Sequence, residues 1–181
     1  MFDGVPAPII YTSSTQSTVM VPYAVAGKTS TQLQVRSQGV LSIPTTLAVT
    51  TAAPGLFTLN QNGGGAGAIV NQDGSVNSAG APAAKDSVVL IYLTGDGQTT
   101  PTGVDGQLAV GTLPSTAAPV SVRIGNRDAR VLYAGVAPQS VAGFTQLNVT
   151  IPSDAPSGDA VPLIVTVGSA STQPGVTLAI R

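Results

Sequence analysis

The sequence has 181 residues, a formal net charge of −1 and only 8% charged residues, and it contains no His, Cys or Glu. Nucleic acid is excluded as a partner because its binding depends on concentrated Lys and Arg, and disulfide bonds and thiolate metal sites are excluded by the lack of Cys. The 43% hydrophobic content and the abundance of Thr, Ser and Gly favour strands around a core, and no apolar stretch has the length of a membrane-spanning helix.

The first part of the chain, residues 1–54, is repeated near the end of the sequence. The stretch IIYTSSTQSTVMVP at residues 9–22 matches VLYAGVAPQSVAGFTQLNVTIP at residues 131–152, which places Tyr11 on Tyr133. The match continues through Leu33 and Leu163, Val35 and Val165, and Leu47 and Leu178. A repeat of this length predicts two copies of one folding unit.

The middle of the chain contains the predicted junction between the copies. Residues 50–55 (TTAAPG) favour a junction, the glycine-rich stretch NQNGGGAG follows at 60–67, and an Asp-Gly turn at 71–75 predicts a tight hairpin. The apolar run SVVLIYLT at 87–94 is typical of a strand that is buried on both faces or packed at a domain junction. Alternating apolar runs predict further strands at 120–124, 147–151, 163–167 and 176–180.

These patterns predict an all-β fold of tandem immunoglobulin-like antiparallel β-sandwiches, with no long helix. We predict an incomplete unit 1 at residues 1–54, a glycine-rich linker with a hairpin at 55–86, and unit 2 at 87–181.

Unit 1 lacks the opening strands of unit 2, since only Phe2 stands opposite Ile124 in the alignment. Two explanations stay open. The chain begins at an arbitrary boundary, or a neighbouring molecule supplies the missing strand and thereby forms a dimer or a filament. In the second case Val19 and Val21 lie on the assembly edge.

Several sequence blocks resemble the C-terminal domain of large secreted acidobacterial proteins of the Solibacter type. The blocks are PAPIIYTSSTQSTVMVPY, APGLFT, GAIVNQDGSVNSAGAPAAKDSVVLIYLTGDGQTTP, PVSVRIGNRDARVLYAGVAP, QLNVTIPSDAPSGDAVPLIVTVG and QPGVTLAIR. The resemblance covers nearly the whole chain and implies two immunoglobulin-like units similar to the IPT/TIG type. It also implies an extracellular or cell-surface accessory module of a longer secreted protein, whose signal peptide lies outside this chain.

Enzymatic chemistry has little support in the sequence. Acid–base catalysis needs groups that titrate near the working pH, and the chain has neither His nor Glu. The eight Asp residues lie mostly beside Gly, Pro or Ser, where Asp is a common turn residue, and no Gly-x-Ser-x-Gly motif is present. We therefore predict a protein that is not an enzyme and has no organic cofactor.

Calcium is the best small-ligand hypothesis. Asp96 and Asp105 are each followed by Gly in loops that offer carboxylates and carbonyl oxygens, the ligands that calcium prefers. Two Asp-Gly turns explain the same residues without an ion, so the absence of any cofactor is the alternative.

The sequence thus predicts a non-catalytic extracellular structural or interaction module that self-assembles through the edge of unit 1. Its partners are other copies or the rest of a longer secreted protein. The alternative is a glycan-binding accessory domain in which Tyr23 and Tyr92 contact polysaccharide. Exposed, coplanar rings at these two positions would favour the alternative, whereas Tyr11 and Tyr133 are expected to pack inside their units with satisfied hydroxyl groups.

Overall fold

The computed structural model describes residues 1–181, and its only helical element is one 3₁₀ turn at Tyr23–Val25. No helix in the molecule has the length and apolar character needed to cross a membrane. The all-β prediction is confirmed. The strands are β1 (Ile9–Thr12), β2 (Ser17–Val19), β3 (Ser30–Leu33), β4 (Arg36–Ser37), β5 (Val40–Leu41), β6 (Thr45–Ala48), β7 (Gly55–Leu56), β8 (Gly65–Ala66), β9 (Ile69–Val70), β10 (Val88–Thr94), β11 (Thr99–Thr100), β12 (Ser115–Thr116), β13 (Val120–Ile124), β14 (Arg127–Val136), β15 (Thr145–Thr150), β16 (Gly158–Val167), β17 (Ala170–Ser171) and β18 (Val176–Ile180).

Residues 55–181 form one curled sheet of 12 strands, whose main path runs β7-β10-β15-β14-β13-β16-β18-β8. The sheet curls because its two longest strands change partners along their length. The start of β14 pairs with β13, and the rest of β14 pairs with β15. Likewise, β16 pairs first with β18 and then with β13. The curl turns one face of every main strand toward a shared interior.

The core is a cluster of 19 buried residues, all of them between Leu56 and Ile180. It follows from the alternation of apolar side chains, because successive residues of a strand point to opposite faces. In β10 the inward side chains of Val89, Ile91 and Leu93 are fully buried, while the residues between them are only partly buried. The continuous apolar run at 87–94 is therefore an alternating strand with one dominant buried face.

Residues 55–86, which we name the closing segment, differ from the predicted linker. Leu56 pairs with Leu93 at the β10 edge of the curled sheet, while Gly65 pairs with Val176 at the β18 edge. The side chains of Leu56, Ile69 and Ala83 belong to the core. The closing segment thus spans the gap between the two edges. Backbone hydrogen bonds hold it at both ends, including at Gly65, which has no side chain to pack.

Two buried asparagines fasten the closing segment to β18. The side-chain amide of Asn77 donates to the carbonyl oxygen of Ala179 at 2.9 Å, and its Oδ1 accepts the N–H of Ala179 at 2.7 Å. Asn77 also donates to Oδ1 of Asn71, whose own amide donates to the carbonyl oxygen of Ala81. Asn77 therefore substitutes for a strand residue, since it exchanges the two hydrogen bonds that a neighbouring backbone would make.

Unit 1 has no comparable sheet. Its strands form three separate two-stranded pieces, β1–β2, β3–β6 and β4–β5. The chain then passes to the closing segment through residues 51–54, where the N–H of Ala53 donates to the carbonyl oxygen of Gly95 at 2.8 Å. Gly95 has a φ of +80°, and a Cβ there would collide with the carbonyl oxygen of Ala53. Glycine therefore allows the two units to meet closely at this point.

Candidate functional site

The first hairpin of unit 1 repeats the register of its counterpart in unit 2. Tyr11 stands opposite Thr18 in β1–β2, and Tyr133 stands opposite Asn148 in β14–β15. Each hairpin has a register shift just before its tyrosine. The repeat in the sequence is thus a repeat of structure, including this irregularity.

The environments of the two tyrosines nevertheless differ. The hydroxyl of Tyr133 donates to the carbonyl oxygen of Val136 at 2.7 Å, as expected for a tyrosine satisfied within its unit. Tyr11 is exposed, and the expectation that it packs inside unit 1 is wrong. The reason is that no strand of this chain covers the hairpin on which it lies.

The second hairpin is repeated as well. Thr31 stands opposite Leu47 in β3–β6, and the matching Val161 stands opposite Leu178 in β16–β18. Beyond the strand end, the hydroxyl of Ser42 accepts the N–H of Val35 at 3.0 Å, and the hydroxyl of Thr172 accepts the N–H of Val165 at 3.2 Å. The same side-chain hydrogen bond in both copies shows that the second hairpin of unit 1 continues into the same local structure as its counterpart.

Phe2 occupies the place of the last residue of β13. It forms a bridge with Leu33, as Ile124 pairs with Leu163. The sequence alignment of Phe2 with Ile124 is therefore reproduced by the strand pairing. The remainder of β13, and all of β10, have no counterpart in unit 1.

A small polar cluster fixes the segment that carries Phe2. Asp3 accepts hydrogen bonds from the Lys28 ammonium at 2.9 Å, the Thr31 hydroxyl at 2.8 Å and the Gln32 N–H at 2.8 Å. These donors, led by Lys28, hold the pKa of the Asp3 carboxyl at about 2. The cluster keeps Phe2, which is buried, against β3.

The lack of covering strands exposes side chains that are buried in the other copy. Val35 is 58% exposed, whereas its match Val165 is fully buried. Leu47 is 37% exposed, whereas Leu178 is 1% exposed. The same residue types at matching positions thus have different environments, and unit 1 has no strands equivalent to β10 and most of β13, which pack over these positions in unit 2.

We use the name open face of unit 1 for the nine large apolar side chains that unit 1 exposes. Exposed apolar surface in this amount is characteristic of interaction sites in soluble proteins. Val21 of the predicted assembly edge is 57% exposed, while Val19 is partly buried. The sequence prediction missed the contribution of the second hairpin, although the repeat alignment with buried residues of unit 2 contained that signal. The exposed residues of the open face are Ile9, Ile10, Tyr11, Val21, Val35, Val40, Leu41, Ile43 and Leu47.

The backbone edge of β2 is also unprotected. β2 pairs only with β1, whereas its counterpart β15 lies between β14 and β10. No charged residue occurs between residues 4 and 27. Natural edge strands are usually shielded by charged side chains, bulges or covering loops, so this edge remains open to pairing with another strand.

Tyr23 lies at the junction of the two units rather than on an exposed surface. Its N–H donates to Oδ1 of Asp105 at 2.7 Å, and its carbonyl oxygen accepts from Nε2 of Gln98 at 3.1 Å. Its ring packs so closely over Gly103 that a Cβ there would collide with it. The Tyr23 hydroxyl is buried as well.

Tyr92 lies elsewhere, with its ring centroid 5.7 Å from that of Phe144 at an angle of 38°. Phe144 in turn stacks on Phe57 at 5.0 Å. Tyr92 is half-buried in this aromatic group, and Tyr23 is held at the junction. The two residues therefore do not form the exposed coplanar pair that the glycan hypothesis requires.

The structure uses Asp96 and Asp105 for different contacts. Asp96 is buried, and its Oδ1 accepts a hydrogen bond from the Thr145 hydroxyl at 2.7 Å. Its Oδ2 is buried without a hydrogen-bond partner, as are the Gln98 Oε1 and the Tyr23 hydroxyl. No group of three or more His, Cys, Asp or Glu side chains that could hold a metal ion is present. Calcium binding at Asp96 and Asp105 stays a prediction.

The buried carboxyl of Asp96 gives a pH-dependent prediction. Burial raises its pKa above the ordinary value of 3.8, so the folded protein binds this proton more tightly than the unfolded chain does. The contribution of Asp96 to stability therefore falls as the pH rises from the unfolded pKa through the folded pKa. Asp96→Asn still accepts from Thr145, and we expect its stability relative to wild type to increase over this interval in urea unfolding.

A difference in unfolding free energy that does not change with pH would contradict this prediction. A bound cation would reverse its sign, because the cation would favour the charged carboxylate. Repeating the pH series with and without calcium, on wild type and Asp96→Asn, therefore tests the calcium prediction too.

Comparison with family models, with curated proteins and with solved structures gives no match to this chain. The resemblance to the acidobacterial family stays a prediction that rests on its sequence blocks. The structure shows that matching side chains of the repeat are buried in unit 2 and exposed in unit 1.

Proposed function

We propose that this chain is a non-catalytic structural or interaction module, built from two immunoglobulin-like units, that associates with another polypeptide through the open face of unit 1. The observation that carries the proposal is the exposure of Val35 and Leu47, whose matches Val165 and Leu178 are core residues. The hairpin of β3 and β6 keeps the register of its buried counterpart but has no strands packed over it. Another polypeptide can therefore pack on this hairpin.

An extracellular or cell-surface location is part of this proposal, and its support is the sequence resemblance. The composition is compatible with assembly, since 8% charged residues give little electrostatic repulsion between copies. In its simplest form, the proposal is that copies of this chain associate with each other.

The expected strength of association follows from the size of the open face. Full burial of one large aliphatic side chain contributes roughly 1.5–3 kcal/mol. Burial of four of the side chains of the open face therefore contributes roughly 6–12 kcal/mol. Loss of translational and rotational freedom opposes this gain with about 4–15 kcal/mol. We therefore expect a concentration-dependent assembly rather than a permanent one.

Light scattering after size exclusion, over a protein concentration series, tests the proposal. We expect the mass of the wild-type chain to rise with concentration, and we expect Val21→Lys to remain a monomer because it places a charge on the open face. Val110→Lys is the matched control, because Val110 is also a largely exposed valine, at 71% against 57% for Val21, but lies in unit 2. A wild-type monomer at every concentration, or equal masses for the two variants, would count against association through unit 1.

A further inference from the structure

The repeat also indicates what covers the open face. Resting on the proposed function, we propose that unit 1 is completed by an extended partner strand from outside residues 1–181, which pairs antiparallel with the free edge of β2 and has the chemistry of β10. The strand is uncharged, about seven residues long, and apolar at every second position.

The place of this strand follows from the order of strands in unit 2. β15 pairs with β14 on one edge and with β10 on the other. In unit 1 the counterparts of β14 and β15 are β1 and β2, and they keep the same register at their tyrosines. The position of β10 is therefore the one that is vacant beside β2.

The register of the partner strand follows from the same comparison. Val89 of β10 stands opposite Val149, and Val149 matches Val19. A partner strand in this register places its own apolar residue opposite Val19 and runs along residues 15–20. Its next inward residues then stand opposite Ser17 and Thr15, as Ile91 and Leu93 stand opposite Leu147 and Thr145 in unit 2.

The chemistry of the partner strand is set by what it replaces. β10 has the sequence VVLIYLT, with no charged residue, and its inward side chains are fully buried. A charged inward residue would be buried without a counter-charge, because residues 9–22 contain none. The site therefore selects against charge, and it favours an aliphatic residue opposite Val19.

A folded second copy of this chain cannot supply its own β10. That strand already pairs with β15 on one edge and with β7 and β9 on the other, and its side chains form the core of unit 2. Withdrawing it would unfold unit 2. The partner strand must come from a polypeptide segment that is free to extend.

The probe is a peptide with the sequence SVVLIYLTG of residues 87–95, with lysines added outside this stretch for solubility, mixed with the full chain. We expect saturable binding of one peptide per chain and slower amide hydrogen exchange of residues 15–20, by roughly tenfold or more. The control peptide carries Asp in place of the residues corresponding to Ile91 and Leu93, and it should do neither.

The same pairing is tested within one chain by joining a second copy of residues 86–123 directly before Phe2, which matches Ile124. This graft should protect residues 15–20 and abolish the concentration-dependent rise in mass. Unchanged exchange at residues 15–20 with both peptide and graft would overturn the inference. If the mass of the wild-type chain still rises with concentration in that case, the proposed function stands and two open faces pack directly on each other.

Discussion

Leu178→Ala is expected to lower the free energy of unfolding by about 2–5 kcal/mol, whereas Leu47→Ala at the matching position should lower it by less than about 1 kcal/mol. Leu178 is 1% exposed in the core, so its truncation removes buried apolar area and leaves a cavity. Leu47 is 37% exposed, so its truncation removes less buried apolar area and leaves no enclosed cavity. Urea unfolding of both variants at low protein concentration measures the difference.

The pair is informative because residue type, strand and register are the same at both positions. Equal losses for the two variants in a monomeric sample would contradict an open face on unit 1. A loss for Leu47→Ala that grows with protein concentration would instead show that association covers Leu47, since binding stabilises the folded state by mass action.

Asn77→Ala is expected to cost about 3 kcal/mol or more of unfolding free energy. The substitution leaves the buried N–H of Ala179 without its partner and removes the donor to Oδ1 of Asn71, while the carbonyl oxygen of Ala179 loses one of its two donors and keeps the N–H of Ala83. Each buried polar group left unpaired costs roughly 1–3 kcal/mol. Thermal and urea unfolding should both show the loss, because Asn77 joins the closing segment to β18.

Asn62→Ala provides the control for this experiment. Asn62 is exposed, and its Oδ1 accepts only a local hydrogen bond from the N–H of Gly64. Its truncation should change stability by less than about 1 kcal/mol. If Asn77→Ala were as mild as this control, the closing segment would not depend on the amide contacts to β18.

The all-β class and the repeat could be predicted from sequence because both depend on local patterns. Alternating apolar residues determine which face of a strand is buried, and matching positions such as Phe2 and Ile124 carry the same pairing in both copies. The turn at residues 71–75 is present too, with Gly74 at a φ of +85°.

The role of the closing segment could not be predicted in the same way. Its glycine-rich composition resembles a linker, because the pairing of Gly65 with Val176 involves only backbone groups and leaves no trace in side-chain type. The position of Tyr23 could not be predicted either, because its contacts with Gln98 and Asp105 join residues far apart in sequence. Contacts of this kind depend on how elements meet, and a periodic pattern does not encode them.

The contact between Asn77 and Ala179 joins residues 102 positions apart. During synthesis, the segment that contains Asn77 emerges long before the strand that it must join. β7 and β9 can pair with β10 as soon as it has emerged, but the edge that β18 provides is absent until the end of synthesis, and the ordering of a large loop opposes closure. Folding of unit 2 should therefore finish with a single late step, and a nascent chain that waits for this step is the form most exposed to wrong pairing with its neighbours on the same messenger RNA.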